Sequence, residues 1–104
     1  MKEPTFDADG YPTQETLDAI KEWPVNDPEG WFDFVEDAWT YNDSFRRTFR
    51  GRHIEAATGG WSGNESLIGA MAENGIIWAV CWQSSHRGGL YVFDIPENLC
   101  HAQS

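Results

Sequence analysis

The stretch TGGWSGNE, residues Thr58–Glu65, joins a predicted β-strand to a predicted α-helix through a glycine-rich turn. Glycine adopts positive φ without strain and lets other backbone segments approach closely. Ser62 or Asn64 is expected to cap the helix, and Glu65 complements the positive charge at its N-terminal end. Backbone N–H groups at such a turn either bind an anion or simply accompany a change of chain direction. The stretch therefore predicts a strand followed by a helix, without specifying a reaction.

Two amphipathic helices are predicted before this stretch. The first begins after Thr13, a suitable N-cap, and ends at about Trp23, which precedes a proline. The second begins at Asp27-Pro28, where aspartate caps the helix and proline occupies its first turn. Its apolar residues recur at helical spacing, namely Trp31, Phe34, Val35, Ala38 and Trp39. Residues 40–51, which are polar and rich in arginine, are predicted to form a loop.

Three strands and a third helix complete the predicted fold. Residues 52–57 alternate between apolar and polar side chains, as a half-buried strand does, and a helix follows at 64–73. The apolar segment Ile76–Gln83 is predicted to be the central strand, covered on both faces. A turn at 84–89 and a strand at 90–95 then form a hairpin. The sequence predicts one α+β domain over residues 1–104, with a small, mostly antiparallel three-stranded sheet and flexible ends at 1–11 and 97–104.

Length and composition limit the class of protein. The chain has 104 residues, of which 40% are hydrophobic, and this suits one domain with one core. It contains neither the roughly 18 consecutive apolar residues of a membrane span nor a signal peptide, so we expect a cytoplasmic protein without membrane contact. Cys81 and Cys100 are expected to be reduced thiols. Together with His53, His86 and His101 they lack the spacing of a metal site, so neither a metal nor a cofactor is predicted.

The chain is strongly acidic, and its charge is unevenly distributed. The formal net charge is −10, and residues 1–45 hold twelve Asp and Glu against two Lys, whereas residues 46–104 hold five acidic residues against five Arg. Direct binding to nucleic acid depends on Lys and Arg contacts with phosphates, so it is not expected. A basic protein, or a protein that itself binds nucleic acid, is the expected partner. Alternatively, the carboxylates serve only to keep the protein soluble.

The acidic residues of the two N-terminal helices recur at spacings that place them on common faces. The predicted partner-binding residues are Glu15, Asp18 and Glu22 on the first helix and Glu29, Asp33, Glu36 and Asp37 on the second. Carboxylates one turn apart are about 5 Å apart along a helix, and phosphates of a DNA strand are about 3.4 Å apart. Such rows imitate the charge of a nucleic acid. The same pattern is typical of the solvated faces of amphipathic helices.

A second group of residues suggests a different function, the binding of a small anionic ligand such as a nucleotide. In this hypothesis the turn supplies N–H donors, basic side chains neutralise charge and a tryptophan stacks on a base. The ligand-binding residues are then Arg52, Gly60, Trp61, Ser62, Gly63, Asn64, Trp82 and Arg87, with His53 and His86 nearby. The turn is neither a Walker loop nor a dinucleotide-binding fingerprint. Helix capping and internal ion pairs explain the same residues without a ligand.

Catalysis is not predicted. Ser84, Ser85 and His86 are adjacent in the sequence, but neighbouring residues alternate between the faces of a strand or diverge in a turn. The segment 60–64 does not fit the G-x-S-x-G elbow that exposes a nucleophilic serine. We therefore expect a noncatalytic binding protein.

The segments Thr58–Glu65 and Ile76–Gly89 resemble a family of small uncharacterised proteins from phages and bacteria. The resemblance covers mainly the C-terminal half, and it implies a phage context without an activity. In that context a compact acidic protein is similar in size and charge to inhibitors of host defence, such as anti-CRISPR and anti-restriction proteins. The leading hypothesis is an acidic protein that binds, and thereby inhibits, a nucleic-acid-binding host protein; the alternative is a protein that binds a small anion at the glycine-rich turn.

Overall fold

The computed structural model describes residues 3–40, 44–48 and 52–96, and within these ranges it shows an α+β fold. Its elements are, in chain order, α1 (Gln14–Lys21), α2 (Pro28–Ala38), β1 (Phe45–Thr48), β2 (His53–Ala57), α3 (Ser62–Glu73), α4 (Gly75–Cys81), β3 (Trp82–His86) and β4 (Leu90–Asp94). The two N-terminal helices are confirmed, with Thr13 and Asp27 as their N-caps. The first predicted strand and the helix after the glycine-rich turn are confirmed as well. The C-terminal hairpin is present, but its predicted turn at 84–89 is too long, because residues 84–86 belong to β3.

Within the described ranges the sheet has four antiparallel strands in the order β1-β2-β4-β3, one more than predicted. The additional strand, β1, lies within residues 40–51, for which the prediction of a loop is wrong; residues 41–43 and 49–51 are outside the described ranges. Phe45 is buried and pairs with Ala56, and Arg47 faces the same side of the sheet two residues later. Because carboxylates of α2 stabilise Arg47 at this inward position, the strand lacks the usual apolar alternation.

The prediction that Ile76–Gln83 is the central strand is also wrong. Its first six residues belong to α4 and its last two to β3, which lies at an edge of the sheet. Ile77 and Cys81, four residues apart, are buried, whereas Ile76 and Val80 are exposed, so only one face of this segment packs on the core. A continuous apolar run does not show by its periodicity whether it is a helix or a buried strand. The central strands are β2 and β4.

The helices α2 and α4 lie against one face of the sheet. Ile54 and Phe93 are partners across β2 and β4, and both are fully buried. Phe32 of α2 and Trp78 of α4 each pack on Phe93, with ring centroids 5.3 Å apart in both pairs. Helix α1 packs in turn on α3. The other face of the sheet, which includes His53, is partly exposed, so the domain has two layers and one open sheet face.

The N-terminal segment forms a closed turn before α1. The Thr5 N–H donates to Thr16 Oγ1 (2.8 Å), and the Thr13 N–H donates to the Thr5 carbonyl (3.1 Å). The carboxylate of Asp7 accepts from the Tyr11 N–H (3.0 Å). Hydrogen bonds therefore hold part of the segment 1–11 that is predicted to be flexible, whereas the predicted flexible tail 97–104 lies outside the described residues. Along the described ranges, no helix combines the length and the apolar composition needed to cross a membrane.

Candidate functional site

The strongest candidate site is a cavity of about 630 Å³ beside α1 and the loop that leads to α2. Its lining combines carboxylates with an aromatic ring and consists of Gln14, Glu15, Asp18, Ala19, Glu22, Trp23, Pro24 and Asp27. Among the described residues of this lining, four are acidic and none is basic. The cavity thus contains the whole predicted partner-binding row of the first helix.

Local sequence determines the shape of this cavity. The spacing of Glu15, Asp18 and Glu22 places the three carboxylates on one side of α1, where all are exposed. After the helix ends, the indole N–H of Trp23 donates to Asp27 Oδ2 (3.1 Å). The other carboxylate oxygen of Asp27 accepts from the Gly30 N–H (3.1 Å) and so caps α2. One carboxylate therefore fixes both the tryptophan wall of the cavity and the start of the next helix.

The carboxylates of α1 keep their negative charge available to solvent. Among the described residues, Glu15 and Glu22 have no ion-pair partner, and Asp18 accepts a hydrogen bond from Gln14 Nε2 (2.8 Å). The one lysine of α1, Lys21, lies 3.7 Å from Glu73 of α3 and does not line the cavity. The cavity is therefore an anionic recess with an aromatic side, a combination that attracts guanidinium and ammonium groups.

Two carboxylates of the second predicted acidic row form ion pairs within the protein. Arg47 of β1 forms ion pairs with Asp33 and with Glu36 of α2, the latter at 3.4 Å. Glu29 is half-buried in the first turn of α2, and only Asp37 remains exposed without an ion pair among the described residues. The structure thus separates the predicted set into a row on α1 without ion pairs among the described residues and a row on α2 in which Arg47 pairs with two carboxylates.

The N-terminal end of α3, the centre of the alternative hypothesis, is covered by aromatic side chains. The ring of Trp61 lies over Gly63 so closely that a Cβ at this glycine would overlap the indole. Tyr11 packs on Trp61 with centroids 5.0 Å apart, and its hydroxyl lies 2.8 Å from Ser62 Oγ. Trp61 occupies the N-cap position without a side-chain bond, so the prediction that Ser62 or Asn64 caps this helix is wrong.

The side chain of Asn64 connects three parts of the chain instead of capping α3. It is fully buried, accepts from the Thr40 N–H (3.0 Å) and donates to the carbonyls of Thr40 (2.9 Å) and Thr58 (3.2 Å). These contacts join the residue that follows α2 to the turn between β2 and α3. The positive φ angles of Gly59 (66°) and Gly60 (75°) confirm that the turn requires glycine.

The basic residues of the alternative site lie at opposite ends of the sheet. Arg52 precedes β2 and accepts at its carbonyl from the Ile95 N–H, whereas the turn that contains Arg87 lies near Thr58, whose N–H donates to the Gly89 carbonyl (3.0 Å). The intervening five-residue strand is about 16 Å long. Trp82 pairs with Phe93 at the end of β3 that is distant from the hairpin turn. The predicted ligand-binding residues therefore do not form one group.

Two histidines of the sheet have defined partners. His53 Nδ1 lies 2.8 Å from Asp94 Oδ1, and His53 Nε2 lies 3.1 Å from Glu55 Oε2. The hydrogen bond to Asp94 and then that to Glu55 raise the pKa of His53 above its ordinary value. His86 Nε2 lies 2.9 Å from Ser84 Oγ in an exposed pair, and no carboxylate among the described residues orients this imidazole as a catalytic triad requires.

Sequence reasoning missed the contribution of Trp23, Pro24 and Asp27 to the site. The sequence pattern places these residues only at the end of one helix and the start of the next, and the bond between the Trp23 indole and Asp27 is evident only from the structure. Comparison of the chain with protein-family models, with curated proteins and with solved structures found no match. The resemblance to small phage and bacterial proteins therefore stays a prediction.

Proposed function

We propose that this protein is a noncatalytic binding protein whose α1 cavity receives a lysine or arginine side chain of a basic, nucleic-acid-binding protein. The observation that carries the proposal is the cavity of about 630 Å³ with four carboxylates and Trp23 in its lining. Its size is within the range of about 300–1,000 Å³ that is common for ligand sites. The acidic residues on α1 supply charge, and the indole supplies an apolar surface for the side-chain stem.

The chemistry of the lining favours arginine as the inserted residue. A guanidinium group forms paired hydrogen bonds with a carboxylate and also stacks on an aromatic ring. Both kinds of partner are present, since Glu15 and Glu22 have no ion pair among the described residues and Trp23 is half-buried beside them. A protein that binds nucleic acid through arginines presents this group on its surface. Occupation of that surface by an acidic protein would block nucleic acid, as an anti-CRISPR or anti-restriction inhibitor of host defence does.

The proposal is tested with two variants of equal net charge. In the first, Glu15→Gln, Asp18→Asn and Glu22→Gln neutralise the cavity. In the control, three exposed carboxylates outside the cavity are neutralised, through Asp9→Asn, Asp37→Asn and Glu65→Gln. The probe is a short peptide of alternating glycine and arginine, and its affinity is measured by titration calorimetry.

The cavity variant is expected to bind the peptide about tenfold more weakly than the unmodified protein, because three charge pairs of about 0.5 kcal/mol each are lost. The control variant is expected to change the affinity by less than about twofold. Equal weakening in both variants would mean that only overall charge attracts the peptide. Unchanged binding in both would exclude the acidic cavity as the site.

We do not favour the alternative of a small anionic ligand at the glycine-rich turn. Tyr11 and Trp61 cover the first turn of α3, and Arg52 lies at the other end of β2 from Arg87. A phosphate at this turn would therefore meet aromatic rings and at most one of the two predicted arginines.

A further inference from the structure

The two edges of the described sheet differ in how they are protected from pairing with another strand. The edge strand β1 carries two adjacent arginines, Arg46 and Arg47. The other edge strand, β3, has the sequence WQSSH and carries neither Lys, Arg, Asp nor Glu. Soluble proteins commonly protect edge strands with charged side chains, because an unprotected edge accepts a further strand. Strand β3 is five residues long and has a register shift between Trp82 and Ser84, two features that also limit edge pairing, but the pairing from Ser84 to His86 is regular and this segment carries no charged side chain.

Exposed apolar side chains directly precede this uncharged edge segment in the chain. Helix α4 runs directly into β3, and Ile76 and Val80 on its outer face are 62% and 41% exposed. Trp82, the first residue of β3, is 40% exposed and stacks on Trp78 of α4, with ring centroids 6.4 Å apart. Exposed apolar side chains and an uncharged edge strand are thus consecutive in the chain and are joined by the Trp78–Trp82 contact. Contiguous exposed apolar side chains mark interaction sites in many proteins, and this segment is the candidate for one here.

The charge of the chain indicates what covers this side. The thirteen residues from Asn74 to His86 contain no Asp, Glu, Lys or Arg, although the chain as a whole has a formal charge of −10. A second copy of the chain also carries −10, so repulsion opposes its approach to the acidic helices and is weakest at this neutral surface. A basic partner, by contrast, gains no charge pairing here. The neutral side therefore fits a second copy better than it fits the partner of the acidic cavity.

We infer that the protein forms a symmetric dimer in which β3 pairs antiparallel with β3 of a second copy, while the apolar surface of α4 and Trp82 becomes buried. A two-fold axis near Ser84 and Ser85 brings the same short strand together from both copies, as an isologous interface requires. The pairing joins the two described sheets into one of eight strands, twice the four of a single copy. No residue that lines the acidic cavity belongs to α4 or β3, so both cavities stay accessible.

Sedimentation equilibrium of the full chain tests this inference. The unmodified protein is expected to have twice the 11.8 kDa mass of one chain at concentrations of tens of µM, roughly the range for a modest interface. Ser84→Lys places like charges across the two-fold axis, and Val80→Lys places a charge in the exposed apolar surface. Each is expected to raise the dimer dissociation constant at least about tenfold.

Thr48→Lys is the matched control, since it adds the same charge to an exposed position of the other edge strand. It is expected to change the dissociation constant by less than about twofold. Circular dichroism verifies that each variant is folded, and the exposed position of Val80 keeps one variant informative if Ser84→Lys does not fold. A monomeric unmodified protein at about 500 µM would overturn the inference. So would a dimer that both interface variants leave intact, or one that the control weakens equally.

Discussion

Asn64 provides the sharpest test of how this fold is held together. Its amide makes three hydrogen bonds to backbone groups of Thr40 and Thr58, and its side chain is fully buried. Asn64→Ala removes all three bonds and leaves one N–H and two carbonyls without this partner. The Thr58 carbonyl retains the N–H of Trp61 (3.2 Å), so the cost falls mainly on Thr40.

The expected loss of stability follows from these three hydrogen bonds. Each hydrogen bond contributes about 1 kcal/mol, and a buried group left without a partner costs about 1–3 kcal/mol. The summed cost is limited because the Thr58 carbonyl keeps one hydrogen bond and because Thr40 is partly exposed to water. We expect Asn64→Ala to lower the free energy of unfolding by about 3 kcal/mol, a large part of the roughly 5–15 kcal/mol that is typical of a domain. Urea denaturation followed by tryptophan fluorescence measures this change.

Asn64→Asp separates the loss of hydrogen bonds from the loss of volume. The introduced carboxylate keeps the shape of the amide but directs negative charge at two carbonyls, and burial raises its pKa. The loss of stability is therefore full at neutral pH and becomes smaller as the pH falls and the buried carboxyl is protonated. A cost below about 1 kcal/mol for Asn64→Ala, or a pH-independent cost for Asn64→Asp, would refute the reasoning.

Four substitutions elsewhere test other contacts. The hydrogen bond to Asp94, more than any other contact, raises the pKa of His53. Protonation of His53 therefore stabilises the fold below about pH 6.5, and this contribution is lost as the pH rises through the raised pKa. In urea denaturation, His53→Gln should lower the free energy of unfolding more at about pH 5.5 than at about pH 8.5. Gly89→Ala should destabilise the protein by about 1–3 kcal/mol, because φ at this position is 86° and the new Cβ would overlap a threonine hydroxyl. Gly69→Ala, which has open space around it within α3, should instead stabilise the protein by about 0.5–1 kcal/mol. Thermal melting distinguishes the two outcomes. Arg47→Met should cost about 0.5–1 kcal/mol by urea denaturation at low salt and less at high salt, since the carboxylates it meets are partly exposed.

The helices that begin at caps were predictable from sequence because their signals are local. Thr13 and Asp27 accept hydrogen bonds from N–H groups of the first helical turn, and these bonds depend only on residues within three positions. The glycine-rich turn was predictable for the same reason, since Gly59 and Gly60 adopt positive φ. Each of these predictions rests on the chemistry of a few adjacent residues.

The elements that were predicted wrongly depend on contacts distant in the sequence. Strand β1 forms because Arg47 meets acidic residues more than ten positions earlier, which turns an arginine into an inward-facing residue. Helix α4 starts directly after Asn74, whose side chain donates to the carbonyls of Ile20 and Trp23, more than fifty positions away. The apolar segment that follows suits a helix or a strand, and these distant bonds favour the helix.

Part of the candidate site follows from local sequence, and part depends on contacts between distant segments. The row of Glu15, Asp18 and Glu22 follows from helical spacing, whereas the wall formed by Trp23 depends on where the chain turns towards α2. The second acidic row has equally good spacing, but Arg47 comes from a strand that the sequence pattern concealed. Helical spacing alone does not show which of two similar acidic rows forms ion pairs within the protein.

For binding, the position of the unpaired carboxylates matters more than the net charge of the chain. The value of −10 already subtracts the charges of Arg47 and Lys21, which pair with carboxylates of α2 and with Glu73, so it does not show which carboxylates are unpaired. A partner that inserts an arginine beside α1 meets only the carboxylates of the cavity. Its affinity should then decrease with salt as expected for about three charge pairs, since screened long-range attraction contributes little beyond about 10 Å. A much steeper dependence of the affinity on salt concentration would indicate that the partner also contacts acidic residues outside the cavity.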